Sequence, residues 1–228
     1  MIAVVIPAHN EAELAGACLA SVLAATKAPE LHGERVLVVV VADSCTDDTA
    51  RIAEAAGAIA IAVSCRNVGQ ARAVGAARAL DAGARWLAFT DADTVVAGDW
   101  LVAQLQLQAD AVCGTVAVED WHDYGERMRI HYARSYEDRD GHRHIHGANL
   151  GVCAHAYQRA GGFPPLQTSE DVALVNALIA SGATVAWSAA PRVVTSARRN
   201  FRAPHGFGAT LLRVDELAAA SRGTAEPC

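Results

Sequence analysis

Short, uninterrupted apolar runs alternate over the first hundred positions with longer segments whose apolar residues recur at helical spacing. The run at 36–42 contains only Val, Leu and Ala, as expected of a parallel strand that is covered on both faces. This pattern predicts strands at 2–6, 36–42, 59–63 and 86–90 and helices at 11–26, 46–56 and 69–82. Alternation at this spacing builds βαβ units. The predicted fold class is therefore α/β, with a mostly parallel central sheet flanked by helices.

The alternation becomes irregular after about residue 98. The pattern there predicts helices at 100–108, 120–141, 169–181 and 208–220 and short strands at 111–118, 149–153, 184–187 and 193–195. The helix at 120–141 contains four aromatic residues that either pack in a core or stack on a ligand: Trp121, Tyr124, Tyr132 and Tyr136. No internal repeat or linker separates the two parts of the chain. We therefore expect one domain over 1–228, with halves that meet at about residue 98.

Composition narrows the class of protein. Of the 228 residues, 52% are hydrophobic and 19% are charged, which excludes global disorder. The net charge of −6, without a basic run, disfavours nucleic acid as a partner.

No apolar stretch approaches the roughly 20 residues of a membrane span, and the N-terminus lacks the features of a signal peptide. The six cysteines are scattered, without a C-x-x-C pair, so we expect a reduced, cytoplasmic protein without a zinc or disulfide framework.

A short segment rich in polar residues lies at the end of each of the first four predicted strands. These segments contain Pro7, Ala8, His9, Asn10 and Glu11; Asp43 and Ser44; Arg66 and Asn67; and Thr90, Asp91, Ala92 and Asp93. Turns and helix N-caps favour such residues in any case. However, ligands of open parallel sheets bind at the carboxyl ends of the strands. Four polar loops at that edge indicate a binding site.

The triplet Asp91-Ala92-Asp93 is the sharpest of these motifs. Its two carboxylates lie on one side of the chain, roughly 6–7 Å apart. Hard oxygen ligands suit Mg²⁺ or Mn²⁺, which bind through one or two carboxylates and complete their shell with water and phosphate oxygens. Such an ion would neutralise a diphosphate leaving group, which an acidic protein otherwise binds only with a few local arginines.

Seven short motifs together resemble the family 2 glycosyltransferases, which have the GT-A fold. In chain order they are VVIPAHNE at 4–11, VADSCTDDT at 41–49, NVGQAR at 67–72, DAD at 91–93, GANL at 147–150, GGFP at 161–164 and SED at 169–171. The resemblance covers most of the chain. It implies that 1–98 is a nucleotide-binding half and 99–228 an acceptor half.

The resemblance also implies roles for individual residues. Pro7, Ala8, Asn10, Glu11 and Ala92 would line the nucleotide site, and Asp43 would contact the base or ribose. Arg72, or its neighbour Arg66, would approach the nucleotide or its phosphates. Asp91 would lie near the ribose or the metal, and Asp93 would bind the metal directly. The loop of Gly147, Ala148 and Asn149 would face the donor sugar and the acceptor.

Glu170 and Asp171 match the family's acidic catalytic pair. Asp171 would be the general base that takes the proton of an acceptor hydroxyl. The alternative is structural, because Thr168 or Ser169 can cap a helix whose first turn favours acidic residues.

Two further groups of residues are open to two interpretations. His142, His144 and His146 would share one face of an extended segment, so His146 is either a third metal ligand or part of a polar or acceptor-binding surface. Arg198 and Arg199 either clamp the diphosphate or form a surface charge pair.

The implied activity is metal-dependent transfer of a sugar, with inversion, from a nucleotide-diphosphate sugar to a hydroxyl acceptor. A UDP-sugar is the family's commonest donor, and the acceptor is a small or lipid-linked molecule. The Gln-x-x-Arg-Trp segment of processive synthases is absent, which favours single addition. Peripheral membrane contact is compatible with the absence of a transmembrane segment. The alternatives are a retaining transferase or a non-catalytic partner protein that binds nucleotide sugars.

Overall fold

The computed structural model describes residues 1–121, 124–199 and 207–220. Within these ranges, nine strands form a seven-stranded sheet and a separate two-stranded sheet. In chain order they are β1 (Ile2–Ala8), β2 (Val36–Asp43), β3 (Ile59–Val63), β4 (Trp86–Phe89), β5 (Thr94–Val96), β6 (Ala111–Gly114), β7 (Leu150–Cys153), β8 (Val185–Ser188) and β9 (Val193–Thr195). The large sheet has the order β3-β2-β1-β4-β7-β6-β8, and β5 pairs with β9. Only β7 is antiparallel to its neighbours in the large sheet, which confirms the predicted, mostly parallel arrangement.

Eight α-helices accompany these strands within the described ranges. They are α1 (Ala15–Ala25), α2 (Thr49–Ala55), α3 (Val68–Asp81), α4 (Trp100–Gln106), α5 (Glu126–Ser135), α6 (Ala154–Arg159), α7 (Glu170–Ala180) and α8 (Phe207–Ala220). A 3-10 turn covers Pro29–Leu31. Within the described part of the chain, no helix is long and apolar enough to cross a membrane.

Two apolar layers cover the large sheet, because successive residues of a strand point to opposite faces. Ile2, Val4 and Ile6 pack on one face with α1 and α4. Ala3 and Val5 pack on the other face with α3 and α7. Helix α3 lies so close to β1 that a Cβ at Gly75 would overlap the Val5 side chain.

Some element boundaries differ from the predictions for physical reasons. The strand expected at 111–118 ends at Gly114 because the chain then leaves the sheet, and Ala117 bridges to Val194 instead. The helix expected at 120–141 is restricted to α5. It begins after Gly125, whose φ is 76°, and ends where Tyr136 adopts extended backbone. Short elements β5 and α6 were not predicted.

The cysteines at 18, 45, 65, 113 and 153 are free thiols. Cys228 lies outside the described residues.

Candidate active site

An open cavity of about 1020 Å³ lies at the carboxyl edge of β1, β2 and β4. The structure brings most of the residues predicted for the site to its wall, even though they come from distant parts of the sequence. These are Pro7, Ala8, Asn10, Glu11, Asp43, Arg66, Arg72, Asp91, Ala92, Asp93, His146, Gly147, Ala148, Glu170, Asp171 and Arg198. The strand-end loops therefore form one site.

Asp43 organises the end of this cavity that lies between β2 and the loop before α3. Its carboxylate accepts hydrogen bonds from the backbone N–H groups of Cys65, Arg66 and Asn67 at 2.8, 2.9 and 2.8 Å. Burial alone would raise the pKa of Asp43, but these hydrogen bonds outweigh it and hold the pKa below its usual value. The carboxylate is thereby kept charged, and the loop between β3 and α3 is tied to the end of β2.

The loop after β1 is held by similar contacts. Asn10 adopts a left-handed conformation with φ of 52°, which asparagine tolerates better than most residues. Its side-chain oxygen accepts from Thr46 N–H at 2.8 Å. His9 donates through Nδ1 to the carbonyl oxygen of Asp43 at 2.6 Å. The sequence places His9 in this loop without indicating a role for it.

Arg72 is the centre of a buried ion-pair cluster. Its guanidinium is 3% exposed and donates to the Glu170 carboxylate and to Oδ1 of Asp91, the latter at 2.5 Å. Gly147 lies against the same guanidinium, and a Cβ at that position would overlap it. Arg72 thus connects the DAD triplet at 91–93, the acidic pair and the 147–149 loop.

Arg198 forms the second ion-pair cluster. It donates from both terminal nitrogens to the buried carboxylate of Glu11, and its Nη2 lies 3.2 Å from Oδ2 of Asp93. Burial and the nearby carboxylates of Asp91 and Glu11 raise the pKa of Asp93 to about 7, although Arg198 opposes that shift. Removing the positive charge of Arg198 would leave three carboxylates facing one another.

Asp91 and Asp93 fit a divalent cation as partial ligands. Their side chains are 35% and 20% exposed and line the cavity, and two carboxylates are what Mg²⁺ or Mn²⁺ commonly takes from a protein. Over the described ranges, no group of three His, Cys, Asp or Glu side chains could hold a metal by itself. The structure therefore does not bring His146 to the aspartates as a third ligand. His146 Nε2 instead lies 2.9 Å from the Tyr136 hydroxyl.

Asp171 lies at the start of α7. Its Oδ2 accepts from Gly147 N–H, and its Oδ1 from the N–H of Val172, both at 2.8 Å. Ser169 precedes the helix in a left-handed conformation and makes no side-chain capping bond, although both acidic residues do lie in the first turn of α7. Glu170, in contrast, is 3% exposed and engaged by Arg72. The two acidic residues therefore occupy different environments.

Two residues predicted for the site lie elsewhere. The Asn149 side chain is fully buried: it accepts from Trp100 Nε1 at 2.9 Å and donates to the carbonyl oxygens of Thr115 and Pro191. Because all of its polar atoms are used there, it does not face the donor sugar. Arg199 donates to Asp215 and stacks over Tyr124, so it is not beside Arg198 in the cavity.

An apolar wall closes the other end of the cavity. Six side chains from α5, α8 and the residue that follows α5 form it: Met128, Tyr132, Tyr136, Phe207, Leu211 and Val214. The sequence indicated Tyr132 and Tyr136 as aromatics that either pack in a core or stack on a ligand. It carried no signal for Phe207, Leu211 or Val214, because nothing local shows that α8 folds back against α5. We call these six residues the apolar wall.

Comparisons with known proteins agree with this architecture. The family model of Glycosyl transferase family 2 matches residues 3–160. Among curated proteins, none matches the chain significantly.

Three solved structures illustrate the likeness in fold. The Pyrobaculum calidifontis mannosyltransferase PcManGT, in complex with GDP-Man and Mn²⁺, is 20% identical with a TM-score of 0.65, over 99% of this chain and 65% of its own. S. aureus TarS 1–349 with UDP-GlcNAc is 16% identical with a TM-score of 0.65, over 95% and 65% of the two chains. Mycobacterium tuberculosis glucosyl-3-phosphoglycerate synthase, with Mn²⁺, UDP and glucosyl-3-phosphoglycerate, is 17% identical with a TM-score of 0.60, over 97% and 76%. This chain thus spans less than two thirds of the length of the mannosyltransferase and TarS chains. The predicted GT-A fold is confirmed.

Proposed function

Since the chain belongs to glycosyl transferase family 2, we propose that it transfers a sugar, with inversion, from a nucleoside-diphosphate sugar to a hydroxyl acceptor with the help of Mn²⁺ or Mg²⁺. One observation carries the proposal: the two aspartates of the DAD triplet, Arg72, Arg198 and Asp171 line the same cavity. These are the groups that binding of a diphosphate and removal of a hydroxyl proton require.

The nucleotide would occupy the end of the cavity between the loops after β1, β2 and β3. Asp43 keeps the 65–67 backbone in place, and Asn10 braces the facing loop. A UDP-sugar is the donor we propose first. The TarS and glucosyl-3-phosphoglycerate synthase structures contain uridine nucleotides, whereas the mannosyltransferase contains GDP-Man. A guanosine donor is therefore the alternative to test beside it.

The diphosphate would lie between Arg72 and Arg198. A divalent ion held by Asp93 and Asp91 would supply positive charge to the leaving diphosphate, and Mn²⁺ is present in two of the three structures compared. Arg198 is the protein's own cation beside Asp93. It would form bidentate hydrogen bonds to phosphate oxygens. Arg72, held by Glu170, would orient Asp91 and support the 147–149 loop.

Asp171 would act as the general base. Its Oδ2 is oriented by Gly147 N–H, so its position relative to the loop beside the donor sugar is defined. The acceptor oxygen would attack the anomeric carbon while the bond from that carbon to the phosphate oxygen breaks. The acceptor proton would pass to Asp171, and the nucleoside diphosphate would leave. A single displacement of this kind inverts the anomeric configuration, and analysis of the product anomer distinguishes it from the retaining alternative.

Thermal unfolding with UDP, GDP, ADP, CDP and dTDP, each with and without Mn²⁺, tests the binding half of this proposal. A ligand at a hundredfold excess over its Kd stabilises the folded protein by about 2.7 kcal/mol. We expect one diphosphate to raise the Tm only together with Mn²⁺. Absence of a shift with all five would count against nucleotide binding and therefore against the proposed function.

Three variants separate binding from catalysis. Asp93→Ala should abolish the Mn²⁺-dependent shift, whereas Asp171→Asn should keep the shift and lose transfer. Asp99→Ala is the matched control, because Asp99 is exposed and makes no capping bond at α4. Normal turnover by Asp171→Asn would refute the assignment of the base.

A further inference from the structure

The apolar wall gives information about the acceptor. Met128 and Leu211 are 3% and 2% exposed, and Tyr132, Phe207 and Val214 are half-buried around them. The polar ends of the two tyrosines are satisfied by the backbone of Val116. The Tyr132 hydroxyl donates to its carbonyl oxygen at 2.8 Å, and the Tyr136 hydroxyl accepts from its N–H at 2.9 Å. The wall therefore presents mainly carbon atoms to the cavity.

The arginines that line the cavity lie among carboxylates and are not part of the apolar wall. The arginines among the described lining residues are Arg66, Arg72 and Arg198. Arg72 and Arg198 are held by the carboxylates around the DAD triplet, and Arg66 belongs to the loop tied to Asp43. Apart from its own two tyrosines, the described titratable groups beside the wall are the imidazoles of His131, His144 and His146. Burial lowers the pKa of His144 and, to about 3, that of His146. These two rings are therefore neutral near pH 7.

The wall begins immediately beside the proposed base. His146 lines the cavity next to Tyr136, and the following residue, Gly147, donates to Asp171. A hydroxyl that reaches Asp171 consequently places the rest of its molecule against the wall. A phosphate there would meet the neutral imidazoles of His144 and His146 and the Asp171 carboxylate, while Arg72 beside Gly147 is already paired with Glu170 and Asp91. An alkyl or aryl group would instead be removed from water.

We propose that the acceptor is an uncharged hydroxyl compound with an apolar alkyl or aryl body, which the wall formed by α5 and α8 binds. The proposal rests on the function proposed above and specifies its acceptor class. It differs from the product class named for the M. tuberculosis synthase, glucosyl-3-phosphoglycerate, which carries charge. The transfer step itself is the displacement already described.

Calorimetric titration of the protein loaded with Mn²⁺ and its stabilising nucleoside diphosphate tests this inference without requiring turnover. The probes are methyl, butyl and octyl β-D-glucoside below their micellar concentrations, 4-nitrophenyl β-D-glucoside, and glucose 6-phosphate as the anionic counterpart. We expect affinity to rise at least tenfold from the methyl to the octyl compound, since each buried methylene favours binding. The nitrophenyl arm shows whether the wall prefers an aryl or an alkyl body.

Two variants connect the effect to the wall. Phe207→Ala and Val214→Gln should each reduce the preference for octyl over methyl at least threefold while leaving nucleotide binding unchanged. Ile130→Ala is the control, because Ile130 belongs to α5 but is 38% exposed and is not among the lining residues. Val214→Gln keeps the test valid if Phe207→Ala does not fold.

Other outcomes would overturn the proposal. Equal affinities for the three alkyl glucosides, no binding of any apolar probe, or tighter binding of glucose 6-phosphate would each refute an apolar acceptor. If no nucleoside diphosphate binds in the preceding experiment, it is the proposed function that fails.

Discussion

Replacing Arg72 by methionine should severely destabilise the protein. Arg72 and Glu170 are each 3% exposed and pair with each other, so Arg72→Met leaves a buried carboxylate without its counter-charge. Breaking a buried pair in this way costs about 3–5 kcal/mol. The Asp91 carboxylate also loses its partner, but its side chain is 35% exposed. Because water solvates it, it adds little to the destabilisation. For a chain of this length, about 2–4 °C of Tm per kcal/mol gives a decrease of about 6–20 °C.

A second substitution distinguishes the unpaired charge from lost packing. In Arg72→Met/Glu170→Leu both charges are gone, and replacing a buried ion pair by apolar residues is often neutral. We therefore expect the double variant to recover to within about 1 kcal/mol of the wild type. The matched control is Arg78→Met, because Arg78 is exposed on the same helix. That change should stay within about 0.5 kcal/mol.

Urea unfolding followed by circular dichroism at pH 7 measures all four proteins under the same conditions. The expected order of stability is wild type and Arg78→Met, then the double variant, then Arg72→Met. Two results would refute the reasoning: a loss of less than about 1 kcal/mol in Arg72→Met, or a double variant no more stable than the single one. The first result would mean that Glu170 finds water or another partner, and the second would mean that lost packing, not the unpaired charge, destabilises Arg72→Met.

Three further predictions concern nucleotide binding, pH and the 147–149 loop. Arg198→Gln should weaken binding of the stabilising nucleoside diphosphate, measured by calorimetry, roughly 10- to 100-fold, because charge-assisted hydrogen bonds are lost. Arg199→Gln should change the Kd by less than threefold. Equal losses in the two variants would contradict the proposal that Arg198 binds the diphosphate. Hydrogen bonding from Arg85 lowers the pKa of Glu34 from 4.5 to about 2. The wild type should therefore be more stable than Glu34→Gln by a constant amount above pH 4.5, and this difference should be lost as the pH falls toward 2. If urea unfolding gave a difference in free energy of unfolding that did not change with pH, the ion pair would not be its source. Gly147→Ala would place a Cβ on the guanidinium of Arg72. Because the Arg72 cluster would then have to shift, we expect kcat/KM to fall at least tenfold. An unchanged kcat/KM would show that the cluster can rearrange without affecting catalysis.

The sequence alone was sufficient for the framework of the fold. Buried parallel strands such as β2 appear as uninterrupted apolar runs, and helices such as α3 begin at a recognisable cap, where Asn67 accepts from Gln70 N–H. These signals are local, because they depend on backbone conformation and on burial that repeats along an element. The residues after β1, β2 and β4 could be placed at one edge for the same reason, since parallel strands present their carboxyl ends together.

The direction and partners of single side chains were decided by the tertiary structure. Asn149 and Gly147 belong to one motif, but the Asn149 side chain is buried against Trp100 whereas Gly147 N–H reaches Asp171. Arg198 and Arg199 are adjacent, but Arg198 binds Glu11, 187 positions away, whereas Arg199 binds Asp215 in α8. No local pattern specifies such pairs, because their energy depends on which distant backbone the fold brings within hydrogen-bonding distance.

The apolar wall arises in the same way. Its residues come from α5, the residue that follows it, and α8, and each segment by itself is an ordinary partly apolar stretch of chain. Local sequence determined the strands, the helices and the edge at which their polar loops meet. The packing of the second half against the first determined which arginine faces the aspartates, which carboxylate is buried, and what surface lies beside Asp171, because burial and charge pairing are properties of neighbours in space.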